Sequence, residues 1–276
     1  MLSRRTLLIG LLLAACAGGD APEAASETEL LGRLTLTGSS TVAPLAAEIA
    51  RRFESRHPQV RVDVQTGGSS RGIRDAREGT ADIGMASRGL EAAEQNGLLA
   101  HAIARDEIAV ILHATNPVET LSDEQIKAIY LGEISRWSEI GGRDAPITVV
   151  NKASGRATLE VFVKHYGLDE KMIDADIVIG ENEQGVKTVA GNPDAIGYVS
   201  VGSARYNAGE GVPIQILDRS GTGDEAADAI VRPLNLVTRS EVDALAQSFI
   251  DYSQSSEVHD LVRGLYFEPL TQVSAR

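Results

Sequence analysis

Hydrophobic and polar residues alternate with two different periods along the chain, and each period predicts one kind of element. Residues 60–64 alternate strictly between apolar and polar side chains, which is typical of a half-buried strand. Residues 42–53 instead carry apolar side chains at the spacing of one helix face, namely Val42, Leu45, Ala46, Ile49 and Phe53. The folded part of the chain is therefore expected to begin with strands and helices in turn.

The same two patterns continue to the end of the chain. Strands are predicted over residues 34–37, 60–64, 83–86, 107–112, 147–150, 196–200, 214–217 and 234–237. Helices are predicted over residues 42–53, 71–78, 123–131, 156–166, 183–190, 224–230, 241–253 and 256–265. Strands that alternate with helices in this way indicate an α/β architecture with largely parallel sheets.

Composition narrows the classes of protein that fit this pattern. The chain has 276 residues, of which 43% are hydrophobic, so a fibrous or wholly disordered protein is excluded. The 26 Lys and Arg residues against 39 Asp and Glu residues give a net charge of −13. Nucleic acids and anionic lipids select for basic surfaces, so neither is an expected partner.

An export signal is predicted at the start of the chain. Two arginines precede an apolar run that ends at Ala15, and Cys16 follows directly. The segment resembles a bacterial lipoprotein signal, and the apolar run is too short to span a bilayer. The resemblance implies that residues 1–15 are removed and that Cys16 carries lipid. We therefore expect a lipoprotein of the periplasm or the cell surface, attached to the membrane only through that lipid.

Cys16 is the only cysteine of the chain, which excludes an intramolecular disulfide and a cysteine-based zinc site. The following residues, up to position 29, are small, acidic or turn-forming, so residues 16–29 are predicted to be a disordered tether. The arginine pair before the apolar run leaves both general secretory and twin-arginine export open.

Three turns between a strand and a helix carry the candidate chemistry. Residues 38–41, 67–70 and 153–158 each combine small residues with hydroxyl side chains where a helix is predicted to begin. A helix N-terminus offers unpaired N–H groups and partial positive charge, which favour an anion. In an open α/β sheet such turns lie together at the carboxyl ends of the strands. The pattern therefore predicts an anion site in a crevice.

Five motifs occur in the order and at the spacing of a known family. The chain resembles the PstS-type phosphate-binding proteins of ABC phosphate importers in LTGSSTVAP at residues 36–44, GGSSRG at 67–72, DIGMASR at 82–88, IYLG at 129–132 with Trp137, and AIGYV at 195–199. The resemblance implies a type II periplasmic binding fold, in which two α/β lobes joined by two crossovers close on a ligand cleft. With crossovers near Leu112 and Val231, residues 30–111 plus 232–276 form one lobe and residues 112–231 the other.

The resemblance also implies a function and a set of ligands. The function is extracytoplasmic binding of inorganic phosphate for delivery to an ABC permease, with no catalysis, no cofactor and no metal. Hydroxyl and backbone N–H groups of the three turns are implied as donors to the anion. Carried over position by position, the candidates from the turns are Ser40, Thr41, Ser69, Ser70, Ala157 and Thr158.

The chain departs from the family pattern in two places. Where the family often has Gly-Ser-Gly-Thr, this chain has an arginine in the third turn, and Arg156 either binds the anion bidentately or points to solvent. Where part of the family has a carboxylate that accepts the proton of monohydrogen phosphate, this chain has Arg88. Both arginines are candidate site residues. Asp106 is a candidate substitute acceptor, with a surface ion pair to Arg88 or Arg105 as the other interpretation.

Two alternatives to phosphate binding follow from the residues. A site made only of donors suits any fully ionised tetrahedral oxyanion, which includes sulfate, molybdate and tungstate. Residues 68–72 also read Gly-x-Ser-x-Gly between a strand and a helix, so a serine hydrolase with Ser70 as its nucleophile is a second alternative. The histidines lack metal-ligand spacing, and the segment containing Tyr130 and Trp137 is predicted to cap a helix and to pack in a core.

Overall fold

The computed structural model describes residues 30–219 and 229–270. The predicted signal, Cys16 and the tether lie outside the described residues, as does most of the predicted helix 224–230. None of the helices in the described ranges is long and apolar enough to cross a membrane.

The first part of the described chain alternates strands and helices. Its elements are β1 (Gly32–Gly38), α1 (Ala43–Arg56), β2 (Val60–Thr66), α2 (Ser69–Glu78) and β3 (Ile83–Ala86). The three strands are parallel, in the spatial order β2-β1-β3. The apolar face predicted for α1 is buried, because every turn of that helix places an aliphatic or aromatic side chain in the core.

A 16-residue strand, β4 (Leu98–His113), carries the chain from this part into the next. The next elements are β5 (Thr120–Leu121), α3 (Asp123–Tyr130), β6 (Thr148–Lys152), α4 (Ala157–Tyr166), β7 (Ile177–Ile179), α5 (Asn182–Ala190), β8 (Ala195–Ser200), α6 (Val201–Gly209), β9 (Ile214–Ile216) and β10 (Asp218–Arg219). Two short 3-10 helices, Trp137–Ile140 and Glu170–Met172, lie between them. The end of the described chain forms β11 (Val231–Arg239), α7 (Ala244–Gln254), a 3-10 turn Ser256–Val258, α8 (His259–Gly264) and β12 (Glu268–Pro269).

One continuous sheet joins the two parts, in the order β2-β1-β3-β11-β4-β8-β6-β7. The outer strands on both sides are parallel, whereas β11 and β4 are antiparallel to their neighbours in the centre. The prediction of largely parallel sheets is therefore correct at the two sides and wrong at the centre. The reason is that β4 and β11 connect the two parts of the molecule. They do not belong to strand-helix-strand units, whose strands are parallel.

The pairing of β4 divides the molecule into two halves. From Leu98 to Glu107 this strand pairs with β11, and from Ile108 to Leu112 it pairs with β8. The N-terminal half is the sheet region around β1, β2 and β3 with its helices, and the C-terminal half is the region around β6, β7 and β8. The lobe boundaries at residues 112 and 231 stay a prediction.

The two halves have separate apolar cores. One core contains Leu36, Ile49 and Phe249, and another contains Tyr130, Trp137 and Phe162. Tyr130 and Trp137 are completely or almost completely buried, and the indole Nε1 donates to the carbonyl of Asp194 at 3.0 Å. Their predicted packing role is confirmed.

Most elements begin and end within a few residues of the prediction, and the misses have physical causes. The predicted strand 107–112 lacks the first nine residues of β4, because that part of the strand is half-exposed and its apolar and polar residues do not alternate strictly. It also misses α6, whose Gly and Ser residues carry no apolar face. The predicted helix 256–265 is a 3-10 turn followed by the short helix α8.

Candidate functional site

The three predicted turns meet at one crevice between the two halves. It is lined by Ser39, Ser40, Thr41, Gly68, Ser69, Ser87, Arg156, Ala157, Thr158 and Gly180. Besides Arg156, five of the residues carried over from the family motifs therefore lie together, namely Ser40, Thr41, Ser69, Ala157 and Thr158. Backbone contacts close the crevice, since the N–H of Ser70 donates to the carbonyl of Gly155 across the two halves at 3.3 Å.

The first turn is held tightly against strand β3. Gly38 has a φ of +134°, and a Cβ atom there would lie only 2.3 Å from the carbonyl oxygen of Met85. The Oγ of Ser39 accepts the N–H groups of Thr41 and Val42 at 3.2 and 3.4 Å. The predicted backbone donor of Thr41 is therefore engaged within the protein, and its hydroxyl is the group that faces the site.

The hydroxyls of the first two turns form an ordered chain of hydrogen bonds. With both acceptor positions used by backbone N–H groups, Ser39 donates its proton to the Oγ of Ser87 at 3.0 Å. The backbone N–H of Ser87 in turn donates to the Oγ of Ser69 at 3.1 Å. The proton of Ser69 thus remains available for a ligand in the crevice.

Ser70 is not part of this group. Its hydroxyl donates to Glu160 of α4 at 2.9 Å and lies 3.5 Å from Nη2 of Arg88. A serine nucleophile needs a base that takes its proton, usually an imidazole, whereas here the proton goes to a carboxylate. The structure therefore places Ser70 in a contact between the halves.

The structure does not bring Arg88 into the crevice. Its guanidinium donates to Glu94 at 2.6 and 2.9 Å and to Glu160, with 9% of the side chain exposed. Burial disfavours the charge, but the hydrogen bond to Glu94 and the charge of Glu160 outweigh it and raise the pKa of Arg88. The arginine thus joins the N-terminal half to α4 of the other half, and its guanidinium is bound to two carboxylates.

The third turn contributes Arg156, Ala157 and Thr158 at the start of α4. Arg156 lines the crevice, and its Nη1 donates to Oε1 of Glu181 at 2.6 Å, so its side chain is directed inward rather than to solvent. The other oxygen of Glu181, Oε2, is buried and has no hydrogen-bond partner among the described residues. Arg156 therefore brings positive charge to the crevice that one carboxylate partly offsets.

Two of the threonines that line the crevice are bonded to one buried arginine that the sequence analysis missed. Arg232 of β11 is 2% exposed, and its Nη2 and Nη1 donate to the hydroxyls of Thr41 and Thr158 at 3.1 and 2.9 Å. These two threonines belong to opposite halves of the molecule. Arg232 thus connects the first and the third turn through one planar guanidinium.

Asp106 is the counterion of this arginine. Its Oδ2 accepts from Nε and Nη2 of Arg232 at 3.0 and 2.8 Å, and its Oδ1 accepts from the hydroxyl of Ser200 at 2.8 Å. The alternative of an ion pair with Arg88 or Arg105 at the surface is wrong, because the Asp106 side chain is fully buried and pairs with Arg232. Both carboxylate oxygens are engaged within the protein.

A second buried cation lies behind Thr41. Nζ of Lys152 donates to Oδ1 of Asn182 at 2.9 Å, and Nδ2 of Asn182 donates to the hydroxyl of Thr41 at 3.0 Å. Lys152 and Asn182 are 3% and 2% exposed. Neither was assigned a role from the sequence, although Lys152 directly precedes the third turn.

The pKa of Lys152 lies close to neutral pH. Burial lowers its pKa to about 7, and the positive charge of Arg232 acts in the same direction. Glu181 and Glu183 raise the pKa and only partly oppose this shift. A bound anion would favour the charged lysine, because opposite charges at short range stabilise each other in a buried site.

Among the residues that the structure describes, no group of three or more His, Cys, Asp and Glu side chains is arranged to hold a metal ion. The crevice instead presents hydroxyl and guanidinium N–H groups, which are donors. Such an arrangement binds a compact oxyanion by charge-assisted hydrogen bonds.

Comparisons with known proteins agree with this chemistry. A family model for the PBP superfamily domain matches residues 23–257. The phosphate-binding protein PstS of Bacillus subtilis is 30% identical over 97% of this chain and 93% of its own length. The PstS of Borreliella burgdorferi is 26% identical over 83% of this chain and 87% of its own.

Solved structures give the same result. The putative phosphate ABC transporter substrate-binding protein of Clostridium perfringens, crystallised with bound phosphate, superimposes with a TM-score of 0.80 and 31% identity, covering 87% of this chain and 100% of that one. An ABC-type phosphate transport receptor from Vibrio cholerae gives 0.69 and 28%, covering 86% and 100%. The fold is the type II periplasmic binding fold, and the chain belongs to the PstS family of phosphate-binding proteins.

Proposed function

We propose that this protein binds inorganic phosphate in the crevice between its two halves and presents it to the permease of an ABC importer. The observation that carries the proposal is the guanidinium of Arg232, which is buried and bonded to hydroxyls from both halves. Membership in the PstS family and the likeness to a protein crystallised with phosphate support it.

The donor arrangement explains why an anion is held. Arg232 uses four of its five N–H groups on Asp106, Thr41 and Thr158, and the remaining one, on Nη1, has no partner among the described residues. The threonine hydroxyls accept from Arg232 and so direct their own protons elsewhere. Donors fixed in advance in a site of low dielectric bind an anion strongly, because little reorganisation is needed.

The protein acts without turning over its ligand. Phosphate would be held by hydrogen bonds alone, with Ser70 directed to Glu160 rather than to a base. The overall negative charge does not oppose binding, because charges beyond about 8–10 Å are screened by salt while the donors of the crevice are in contact with the anion.

Calorimetric titration of the mature protein with phosphate is expected to show one site per chain. Arsenate, which shares the shape and protonation of phosphate, should bind at the same site and compete with it. Titrations with sulfate, molybdate and tungstate measure the selectivity. Binding of one of these oxyanions without binding of phosphate would assign the site to that anion, and esterase activity that disappears in Ser70→Ala would contradict a pure binding role.

We further propose that lipid on Cys16 is the only membrane anchor and that residues 16–29 tether the folded part to it. The proposal rests on the apolar run that ends directly before Cys16 and on the resemblance of residues 1–16 to a lipoprotein signal.

Substitution of this cysteine tests the anchor directly. In cell fractionation, Cys16→Ser is expected to move the protein from the membrane to the soluble fraction, because no acylated cysteine would remain. Ser26→Ala in the tether serves as the matched control and should stay with the membrane. A Cys16→Ser protein that stays on membranes after removal of its signal would show that another anchor exists.

A further inference from the structure

At the hydroxyl of Thr41, donors from two separate buried side chains meet one oxygen. Nη2 of Arg232 lies 3.1 Å from this oxygen, and Nδ2 of Asn182 lies 3.0 Å from it. Thr41 itself is 2% exposed and lines the crevice.

These two contacts determine what the hydroxyl is able to do. A hydroxyl oxygen has two acceptor positions and one proton. Arg232 and Asn182 occupy both acceptor positions, so the only remaining function of the group is to donate its proton. Because Thr41 lines the crevice, the ligand is the acceptor that this proton meets.

The direction of the Asn182 amide is fixed from behind by Lys152. Its Nζ is 2.9 Å from Oδ1 of Asn182, and in the charged form that a bound anion favours this group only donates. Oδ1 must therefore face the lysine, which turns Nδ2 toward Thr41. Asn182 is the first residue of α5 in the C-terminal half, whereas Thr41 lies in the first turn of the N-terminal half.

We propose that Asn182 is a positioning residue for anion binding, which, held by Lys152, fixes the Thr41 hydroxyl as a donor to the bound anion. The proposal rests on the proposed function. Asn182 acts through Thr41 and does not contact the anion. Since the two residues come from opposite halves, the hydroxyl is fixed only when the halves are together around the ligand.

This arrangement has a consequence for the ligand. The Thr41 hydroxyl donates to the oxygen that faces it but has no acceptor position left for a P–OH proton. An ionised oxygen is therefore expected at this position, and the proton of monohydrogen phosphate must find its acceptor elsewhere in the crevice.

A double-mutant cycle on Asn182 and Thr41 tests the proposal. Asn182→Ala in the otherwise unchanged protein is expected to weaken phosphate binding about tenfold, as one hydrogen bond to the anion loses its fixed direction. In the Thr41→Val background, where the hydroxyl is already absent, the same substitution should change affinity less than about twofold. Asn207→Ala, at an amide on α6 that bonds Glu183, is the matched control and should bind as the unchanged protein does.

Asn182→Asp separates positioning from space filling. The carboxylate has the shape of the amide but accepts the Thr41 proton, so it should bind phosphate more weakly than Asn182→Ala. A purely structural role predicts the opposite order. Circular dichroism melting without phosphate identifies variants that do not fold, and affinities are compared only among folded ones.

Equal losses from Asn182→Ala in both backgrounds would overturn the proposal, because Asn182 would then act independently of Thr41. Better binding by Asn182→Asp than by Asn182→Ala would overturn it as well. Failure of the unchanged protein to bind phosphate would instead contradict the proposed function, so the two failures are distinguishable.

Discussion

Replacement of Arg232 by methionine is expected to weaken phosphate binding by about 100- to 1,000-fold, because the proposed pair of buried guanidinium and bound anion loses its positive partner, at a cost of about 3–4 kcal/mol. The substitution removes a positive charge that is 2% exposed and leaves Asp106 as an uncompensated negative charge beside the anion. It also releases the hydroxyls of Thr41 and Thr158, which lose the donor that orients them.

Calorimetry measures the loss, and a lysine at the same position divides it into parts. Arg232→Lys keeps the charge but reaches only one threonine at a time, so its affinity should lie between those of the unchanged protein and Arg232→Met. Arg136→Met is the matched control, because Arg136 forms an exposed ion pair with Asp144. Phosphate affinity of Arg232→Met within threefold of the unchanged protein would show that the guanidinium is not part of the binding machinery.

The sequence predicts the three turns because their chemistry is local. Each turn combines a strand end, small residues and a hydroxyl within four to six positions, and the helix that follows fixes where its N–H groups point. Thr41, Ser69 and Thr158 lie in the crevice as the turns require. Nothing beyond the neighbouring residues is needed for these assignments.

Arg232 escapes such reasoning because its partners are distant in the chain. It is separated by 191 residues from Thr41, 126 from Asp106 and 74 from Thr158. The one local signal is a charged residue close to the start of a strand whose other residues are mostly apolar, which is costly unless the charge is paired. A buried arginine in such a strand implies a buried carboxylate, and Asp106 on the neighbouring strand meets that need.

Arg88 occupies a position of a family motif but does not have the role of the carboxylate found there in part of the family. The change from a carboxylate to a guanidinium reverses the charge, and the surrounding structure supplies Glu94 and Glu160 to neutralise it. Glu160 also accepts from Ser70, so two of the positions considered from the sequence, Ser70 and Arg88, are explained by one contact between the halves. Arg88 therefore stabilises the contact between the two halves beside the crevice. A proton acceptor that distinguishes monohydrogen phosphate from sulfate must be another group.

Asp106→Asn is expected to lower the free energy of unfolding without phosphate by about 3 kcal/mol, because a buried guanidinium loses its counterion. The amide oxygen still accepts one hydrogen bond, but its NH₂ group faces either Arg232 or the Ser200 hydroxyl that Asp106 now bonds. Chemical denaturation measures the change. Asp144→Asn, the same substitution at an exposed ion pair with Arg136, should cost less than about 1 kcal/mol.

Phosphate should restore much of the stability lost in Asp106→Asn, because the bound anion supplies the negative charge that Arg232 lacks. A ligand that binds only the folded state raises stability by RT ln(1 + [L]/Kd), so the phosphate-induced shift in the unfolding midpoint should be larger in the variant than in the unchanged protein. Since both oxygens of Asp106 are engaged within the protein, the ratio of phosphate to sulfate affinity should stay as in the unchanged protein. A ratio that moves toward sulfate in Asp106→Asn would instead identify Asp106 as the acceptor of the phosphate proton.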